Sequence, residues 1–89
     1  MLKITKVQES GRDVLLKLEG KITEQWAALL DGECRSYLRK KKAVYLDCSN
    51  VEYIDGRGVE VLNGFPQSHV TVMSAPALVT ELLQIGGRS

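Results

Sequence analysis

A short apolar run in the middle of the chain, Ala43 to Cys48, places the strongest constraint on the fold. Its sequence, AVYLDC, is apolar at nearly every position instead of alternating between apolar and polar residues. A short continuous apolar run predicts a strand that is buried on both faces, as strands of parallel sheets are. Because parallel strands need a crossover connection, usually a helix, the run predicts an α/β fold.

Three segments have the apolar spacing of amphipathic helices. The first follows Thr23, a plausible N-cap residue, and the second is stopped after about two turns by Gly64 and Pro66. The third begins at Pro76 and ends at the Gly86-Gly87 pair. Their apolar positions are Trp26, Leu29, Leu30, Cys34, Tyr37 and Leu38 in the first helix, Val59, Leu62 and Phe65 in the second, and Leu78, Val79, Leu82, Leu83 and Ile85 in the third.

Strand patterns precede these helices. Leu2, Ile4 and Val7 indicate a first strand, which the turn around Gly11 connects to a second, Asp13 to Lys21. His69 to Met73 gives the last strand, so the predicted order is ββαβαβα. This order predicts a small, mostly parallel four-stranded sheet with an antiparallel N-terminal edge strand and three helices.

In this topology the turns after the parallel strands meet at one edge of the sheet. These turns are Gly20 to Glu24, Asp47 to Gly58 and Ser74 to Pro76. Binding sites of open α/β sheets collect at the carboxyl ends of the strands, so we expect the functional residues in these turns.

Size and charge limit the possible classes. The 89 residues form one small domain, 1–89, and the net charge of +1 gives the surface no overall sign bias of the kind that marks nucleic-acid-binding proteins. The basic run Arg39 to Lys42 stands where a helix C-terminus favours positive charge, which explains it without a nucleic acid. We therefore expect no nucleic-acid partner.

The cysteines and the N-terminus indicate a cytoplasmic protein. Cys34 and Cys48 lie within apolar patterns, which favours buried reduced thiols over a disulfide or a metal site. His69 is the only histidine, which excludes sites that need several imidazoles. The N-terminus lacks the apolar region of a signal peptide, and no window approaches the roughly 20 apolar residues that span a bilayer.

The turn Asp55-Gly56-Arg57-Gly58 is the candidate site, and three interpretations of it remain open. Asp47 and Asp55 are a possible acid pair or metal site, although only Glu52 is available as a third group. The turn also resembles a weak phosphate cradle at a helix N-terminus. Alternatively, Asp55 caps the second helix and the glycines allow a tight entry, which leaves only Arg57 unexplained, because the helix dipole disfavours a cation there.

The segments KLEGKIT, AVYLDCSNVEYIDGRGVEVL and VTVMSAPALVTELLQIGG resemble the STAS family, the domain of bacterial anti-sigma factor antagonists and of sulfate-transporter tails. The resemblance spans almost the whole chain and implies the same order of elements as the periodicity. The matching positions are Leu18, Gly20, Leu46, Asp47, Ser49, Val51, Ile54, Asp55, Gly58, Leu62, Leu82 and Leu83.

The resemblance implies a protein-binding switch in which a serine kinase of the anti-sigma type phosphorylates a hydroxyl immediately before Gly58. This chain has Arg57 at that position and Gly56 before it, so no phosphorylation of the turn is expected. Glu60 stands where the family usually has a small residue, and Phe65 to Ser68 replace the later turns of the second helix. Arginine brings a fixed positive charge, so the turn is expected to make a constitutive contact with an acidic group.

The leading hypothesis is a non-catalytic interaction module of bacterial signalling, with an anti-sigma factor or a serine kinase-type ATPase as its partner. The alternatives are an accessory STAS-like subunit of an ABC-type lipid transport complex, and a domain whose Gly56 to Gly58 turn binds a nucleotide or another small anion. No enzyme, cofactor, metal or membrane insertion is expected. The residues expected to bind the partner are Lys21, Thr23, Glu24, Ser49, Asp55, Gly56, Arg57, Gly58 and Glu60.

Overall fold

A computed structural model describes residues 1–77 of the chain. Within them, the strands β1 (Leu2–Glu9), β2 (Asp13–Ile22), β3 (Ala43–Ile54) and β4 (Val70–Met73) form a mixed four-stranded sheet. The strands lie in the order β1-β2-β3-β4, in which β1 is antiparallel to β2 and the other pairs are parallel. This confirms the predicted α/β sheet with an antiparallel edge strand. In chain order the elements are β1, β2, α1 (Glu24–Arg39), β3, α2 (Gly56–Gly64) and β4.

The described residues contain two helices instead of the three that were expected. The apolar positions of the predicted third helix, from Leu78 onward, lie outside the described residues. The predicted end of α2 is confirmed, because the helix ends at Gly64, directly before the buried Phe65.

The core lies on one side of the sheet, where alternate strand residues meet buried residues of the helices. Val14, Leu16 and Leu18 of β2 are at most 1% exposed, and the residues between them are half-buried. β3 alternates in the same way: Leu46 is fully buried, whereas Tyr45 is 37% exposed. The expectation that β3 is buried on both faces was therefore wrong at Tyr45.

β3 is also longer than the sequence predicted. Instead of turning after Cys48, it continues to Ile54 and stays paired with β2. Two register shifts, each with one additional residue on β3, make this possible: Lys17 pairs with Asp47 but Glu19 pairs with Asn50, and Gly20 pairs with Val51 but Lys21 pairs with Tyr53. The predicted turn from Asp47 to Gly58 is thus mostly strand: β3 continues to Ile54, Asp55 alone connects it to α2, and Gly56 to Gly58 are the first residues of the helix.

The inward face of α1 differs from the predicted stripe at two positions. Ala27, Leu30 and Cys34 are the buried residues of the helix, whereas Leu29 is 48% exposed. Gly32 has open space where a Cβ would be, so close packing does not require the glycine. The small Ala27 was missed because alanine carries little weight in an apolar pattern.

Candidate functional site

The candidate site combines two connections at the carboxyl ends of neighbouring parallel strands. One connection leads from β2 into α1, and the other leads from β3 into α2. The backbone joins them directly, since the Asp55 N–H donates to the Ile22 carbonyl oxygen at 3.2 Å. The sequence prediction that these turns share one edge of the sheet is therefore confirmed for the first two of the three turns.

The carboxylate of Asp55 contacts the N-termini of both helices. Its Oδ1 accepts a hydrogen bond from the Gly58 N–H at 2.8 Å, which is the predicted cap of α2. Its Oδ2 accepts from the Glu24 N–H at 3.1 Å, in the first turn of α1. Thr23 does occupy the N-cap position of α1, but its side chain makes no capping hydrogen bond. Asp55 therefore supplies a side-chain acceptor to α1 as well as to α2.

Glu24 adopts an unusual backbone conformation at this junction. Its φ angle is 44°, in the left-handed region that non-glycine residues rarely occupy. The helix continues normally beyond it, since the Trp26 N–H donates to the Thr23 carbonyl oxygen at 2.8 Å. The bond from the Glu24 N–H to Asp55 helps to hold this strained residue in place.

The two glycines of the turn have different roles. A Cβ on Gly58 would lie against the Ile22 carbonyl oxygen and 2.6 Å from the Ile54 Cγ1, so only glycine lets α2 approach the sheet this closely. A Cβ on Gly56 would meet no atom within 4 Å. The sequence interpretation that both glycines serve a tight entry therefore holds for Gly58, whereas at Gly56 no packing contact requires a glycine.

Arg57 lies exposed in the first turn of α2, which contains no acidic residue. Within the described part of the chain its guanidinium group makes no ion pair and no hydrogen bond. Lys21, Glu24 and Glu60 are exposed as well. We use the name carboxyl-end surface for the set Lys21, Thr23, Glu24, Asp55, Gly56, Arg57, Gly58 and Glu60, in which Gly58 is buried beneath the exposed residues.

Ser49 does not lie in the turn where the sequence placed it. It is an exposed residue within β3, five residues before the strand ends at Ile54. Its N–H donates to Asp47 Oδ1 at 3.0 Å, and this backbone bond lowers the pKa of the Asp47 carboxyl group. Asp47 and Ser49 thus form a local bonded pair at the first register shift, separate from the Asp55–Gly58 turn along the strand.

Asp47 and Asp55 bear on the two chemical interpretations of the turn, as an acid pair or metal site and as a phosphate cradle. Asp47 and Asp55 each accept hydrogen bonds from nearby backbone N–H groups. Residues 1–77 contain no group of three or more His, Cys, Asp or Glu side chains suited to a metal ion. Because the Asp55 carboxylate already accepts from an N–H group at each helix N-terminus, an external phosphate would have to compete with it.

The cysteines lie in the core instead of at this surface. Cys34 and Cys48 are free thiols with no exposed surface, as the sequence predicted. Burial, more than the nearby carboxylates, raises the pKa of each thiol to about 12. A thiol with so high a pKa is a poor nucleophile at neutral pH.

Comparisons with known proteins show the family by one family model and the fold by one solved structure. The family model described as "Mlab, STAS domain" matches residues 5–88. The solved structure of the anti-sigma factor antagonist SpoIIAA in its unphosphorylated form has a TM-score of 0.74 and 9% sequence identity, covering 93% of this chain and 83% of that chain. None of the curated proteins matches the chain. None of the helices in residues 1–77 is long and apolar enough to span a membrane.

Proposed function

The chain belongs to the STAS domain family, and from that premise we propose that it is a non-catalytic protein-binding module of bacterial signalling. The carboxyl-end surface is the proposed binding site. It stands at the carboxyl ends of β2 and β3, where open α/β sheets collect their sites. A cytoplasmic location fits the reduced, buried thiols of Cys34 and Cys48.

The observation that carries the proposal is the exposed Arg57, which makes no ion pair within residues 1–77 and lies on a turn with a defined structural support. The support comes from Asp55, which bonds to both helix N-termini, and from Gly58, which seats α2 against Ile22. The helix dipole disfavours a cation in the first turn, and no ion pair within residues 1–77 offsets this cost at Arg57. A residue that opposes a local preference without a compensating contact in the described fold points to a contact with another molecule.

The proposed contact is constitutive and needs no phosphorylation. The family resemblance assigns the position of Arg57 to a serine that a kinase modifies, and phosphorylation of a serine adds about two negative charges. A guanidinium group instead offers a planar set of donors that binds a carboxylate bidentately. We therefore expect an acidic group on the partner, which we propose is an anti-sigma factor or a serine kinase-type ATPase.

An affinity experiment tests this proposal. Immobilised wild-type protein, Arg57→Glu and Lys41→Glu are exposed to lysate of the source cell, with and without ATP, and the retained proteins are identified and quantified. Lys41→Glu changes the net charge equally at a position outside the carboxyl-end surface. We expect the wild type and Lys41→Glu to retain an anti-sigma factor or a kinase-type ATPase that Arg57→Glu loses. Equal retention by Arg57→Glu would remove Arg57 from the binding site.

A second candidate function is an accessory subunit of an ABC-type lipid transport complex. It is favoured by the description of the matched family model, which names Mlab in addition to the STAS domain. The same affinity experiment separates the two functions. Recovery of transporter subunits in a fixed ratio, unaffected by ATP, would favour the transport complex over signalling.

The geometry disfavours the third candidate, a nucleotide-binding or anion-binding domain, because Asp55 already occupies both helix N-termini. A thermal-shift measurement with inorganic phosphate and with ATP at constant ionic strength tests it. A bound ligand at about 100 times its dissociation constant stabilises a protein by roughly 2.7 kcal/mol. We expect no shift, and a saturable rise in the melting temperature would establish an anion site.

A further inference from the structure

Four exposed cations lie together at the opposite end of the domain from the carboxyl-end surface. Arg12 precedes β2, Arg39 is the last residue of α1, and Lys40 and Lys41 lie between α1 and β3, so all four are at the amino ends of the parallel strands. We call these four residues the basic pole. The carboxyl-end surface is separated from it by the length of β2, about 30 Å for an extended strand of ten residues.

Hydrogen bonds join the two segments that carry the basic pole. The Ala43 N–H donates to the Arg12 carbonyl oxygen at 2.9 Å. Lys42 Nζ donates to the Ser10 carbonyl oxygen at 2.6 Å, and its side chain is only 14% exposed. The cations on the two segments therefore belong to one continuous surface with a fixed arrangement of the backbone.

The acidic side chains nearby are already engaged with other groups. Glu9 binds Lys42 at 2.6 Å and Lys6 at 2.9 Å. Asp13 accepts a hydrogen bond from the Ser10 hydroxyl group at 2.9 Å. None of the four cations of the basic pole forms an ion pair with a residue of the described chain. Within residues 1–77, these four positive charges are therefore not neutralised by an ion pair.

Lys41 occupies a backbone position that favours glycine. Its φ angle is 62°, and it follows the C-cap residue Lys40. The Lys41 N–H donates to Leu38 O at 2.9 Å and the Lys42 N–H donates to Tyr37 O at 3.2 Å, which is the Schellman arrangement that usually ends in glycine. The attraction of cations to a helix C-terminus explains Arg39 and Lys40, but a lysine in the strained left-handed position has no such structural reason.

We propose that the basic pole binds the anionic headgroups of a lipid membrane surface. Four exposed cations at one end of the domain fall within the range of about four to eight basic residues that is typical of clusters that bind anionic lipids. Binding of a single-stranded nucleic acid commonly uses a groove of cations and exposed aromatic rings on which bases stack. The aromatic ring at this end, Tyr37, is half-buried, and Lys40 Nζ lies 5.6 Å from its centroid, so it is a poor stacking platform. Protein hot spots are anchors in pockets, and two cavities within the described residues, of about 260 and 360 Å³, are lined by other residues.

Such binding would orient the domain. With the basic pole on a membrane surface, the carboxyl-end surface points away from the bilayer, at the far end of β2. The two surfaces share no residue, so the module is able to hold a protein partner near a membrane. The proposal does not depend on the proposed function of the carboxyl-end surface.

Sedimentation with lipid vesicles tests the proposal on the full chain. The vesicles contain phosphatidylcholine alone or phosphatidylcholine mixed with phosphatidylglycerol, at low salt. We expect binding only to the anionic vesicles, with a loss on addition of salt. Each basic residue near the surface is expected to raise the partition coefficient about fivefold. Lys41→Gly removes one positive charge and should lower the coefficient about fivefold, and Lys41→Glu also adds a negative charge and should lower it about 30-fold. Arg57→Glu makes the same charge change as Lys41→Glu but should bind the vesicles as the wild type does.

Three results would overturn the proposal. The first is equal binding to both kinds of vesicle, and the second is an equal loss of vesicle binding in Lys41→Glu and Arg57→Glu. The third is binding to polyglutamate without binding to anionic vesicles, which would assign the basic pole to an acidic protein. Lys41→Gly is the control for a loss of binding that is caused by misfolding. Because glycine is favoured in the left-handed conformation, this variant should have a higher melting temperature and still bind lipid less tightly. Loss of the protein partner in Arg57→Glu is a separate measurement, so either proposal can fail without the other.

Discussion

Asp55 is the residue on which the carboxyl-end surface depends, because its two carboxylate oxygens bond to two different helices. A cap of α2 was expected from the Asp-Gly-Arg-Gly sequence, since an aspartate before a helix commonly accepts from the third residue beyond it. The bond to Glu24 joins residues that are 31 positions apart. One side chain thus fixes the relative positions of the turns that carry Lys21 and Arg57.

Replacement of Asp55 by alanine should destabilise the domain. The change removes an N-cap and a second hydrogen bond, and we expect the free energy of unfolding to fall by about 2 kcal/mol. Urea unfolding followed by circular dichroism measures the loss. Asp47→Ala is the matched control, because the hydrogen bonding of Asp47 within residues 1–77 is local, to Ser49. Equal losses in the two variants would contradict the bridging role of Asp55.

The glycines of the turn allow a second comparison between neighbouring positions. Gly58→Ala places a methyl group against Ile22 and Ile54, and overpacking of this kind should lower the free energy of unfolding by about 2–3 kcal/mol. Gly56→Ala meets open space at the first helical position and should be neutral or stabilise by about 0.5 kcal/mol. Thermal unfolding of both variants measures the difference, and a large loss in Gly56→Ala would contradict the structure.

At the scale of elements, Glu9 links the β1–β2 hairpin to the connection between α1 and β3. Its carboxylate accepts from Lys42, which follows α1, and from Lys6 on its own strand. These hydrogen bonds lower the pKa of Glu9 from its ordinary value of 4.5 to about 2. The link also positions the Ser10–Arg12 turn beside Lys42, so it supports the basic pole.

The lowered pKa of Glu9 predicts a pH-dependent contribution to stability. Because the folded state holds Glu9 ionised, the contribution is complete above pH 4.5 and is lost as the pH falls toward 2. The difference in melting temperature between the wild type and Glu9→Gln should therefore shrink over this range. Glu52→Gln is the control, since Glu52 is exposed and forms no ion pair within residues 1–77. If the difference in melting temperature between the wild type and Glu9→Gln stayed constant from about pH 6 to about pH 2, the result would contradict the link.

At the scale of the whole molecule, one core on one side of the sheet encloses both cysteines. Cys34 lies on α1 and Cys48 on β3, and neither thiol has any exposed surface. Burial raises the pKa of both thiols to about 12, with a further contribution from Asp31 for Cys34 and from Asp47 for Cys48. Both thiols are therefore protected by the packing of the entire domain.

Thiol reactivity should consequently report global unfolding. At pH 8, roughly the ordinary pKa of a free thiol, we expect an aromatic disulfide reagent to react very slowly with the native protein. Both thiols should become reactive over the same range of urea in which circular dichroism records unfolding. Rapid reaction of one thiol without urea would show that the core opens locally at that cysteine.

The sequence by itself determined the α/β class, the order of the six described elements and the aspartate cap of α2. These depend on local signals: apolar periodicity, the Gly64–Pro66 stop and an aspartate before a helix. The tertiary structure decided how far β3 extends, because Asp47 to Asn50 has the composition of a turn and only pairing with β2 across two register shifts keeps it extended. It also decided that Asp55 bonds to α1 and that the Arg12 carbonyl oxygen accepts from the Ala43 N–H, since these bonds join residues about 30 positions apart and only the packed sheet brings them together.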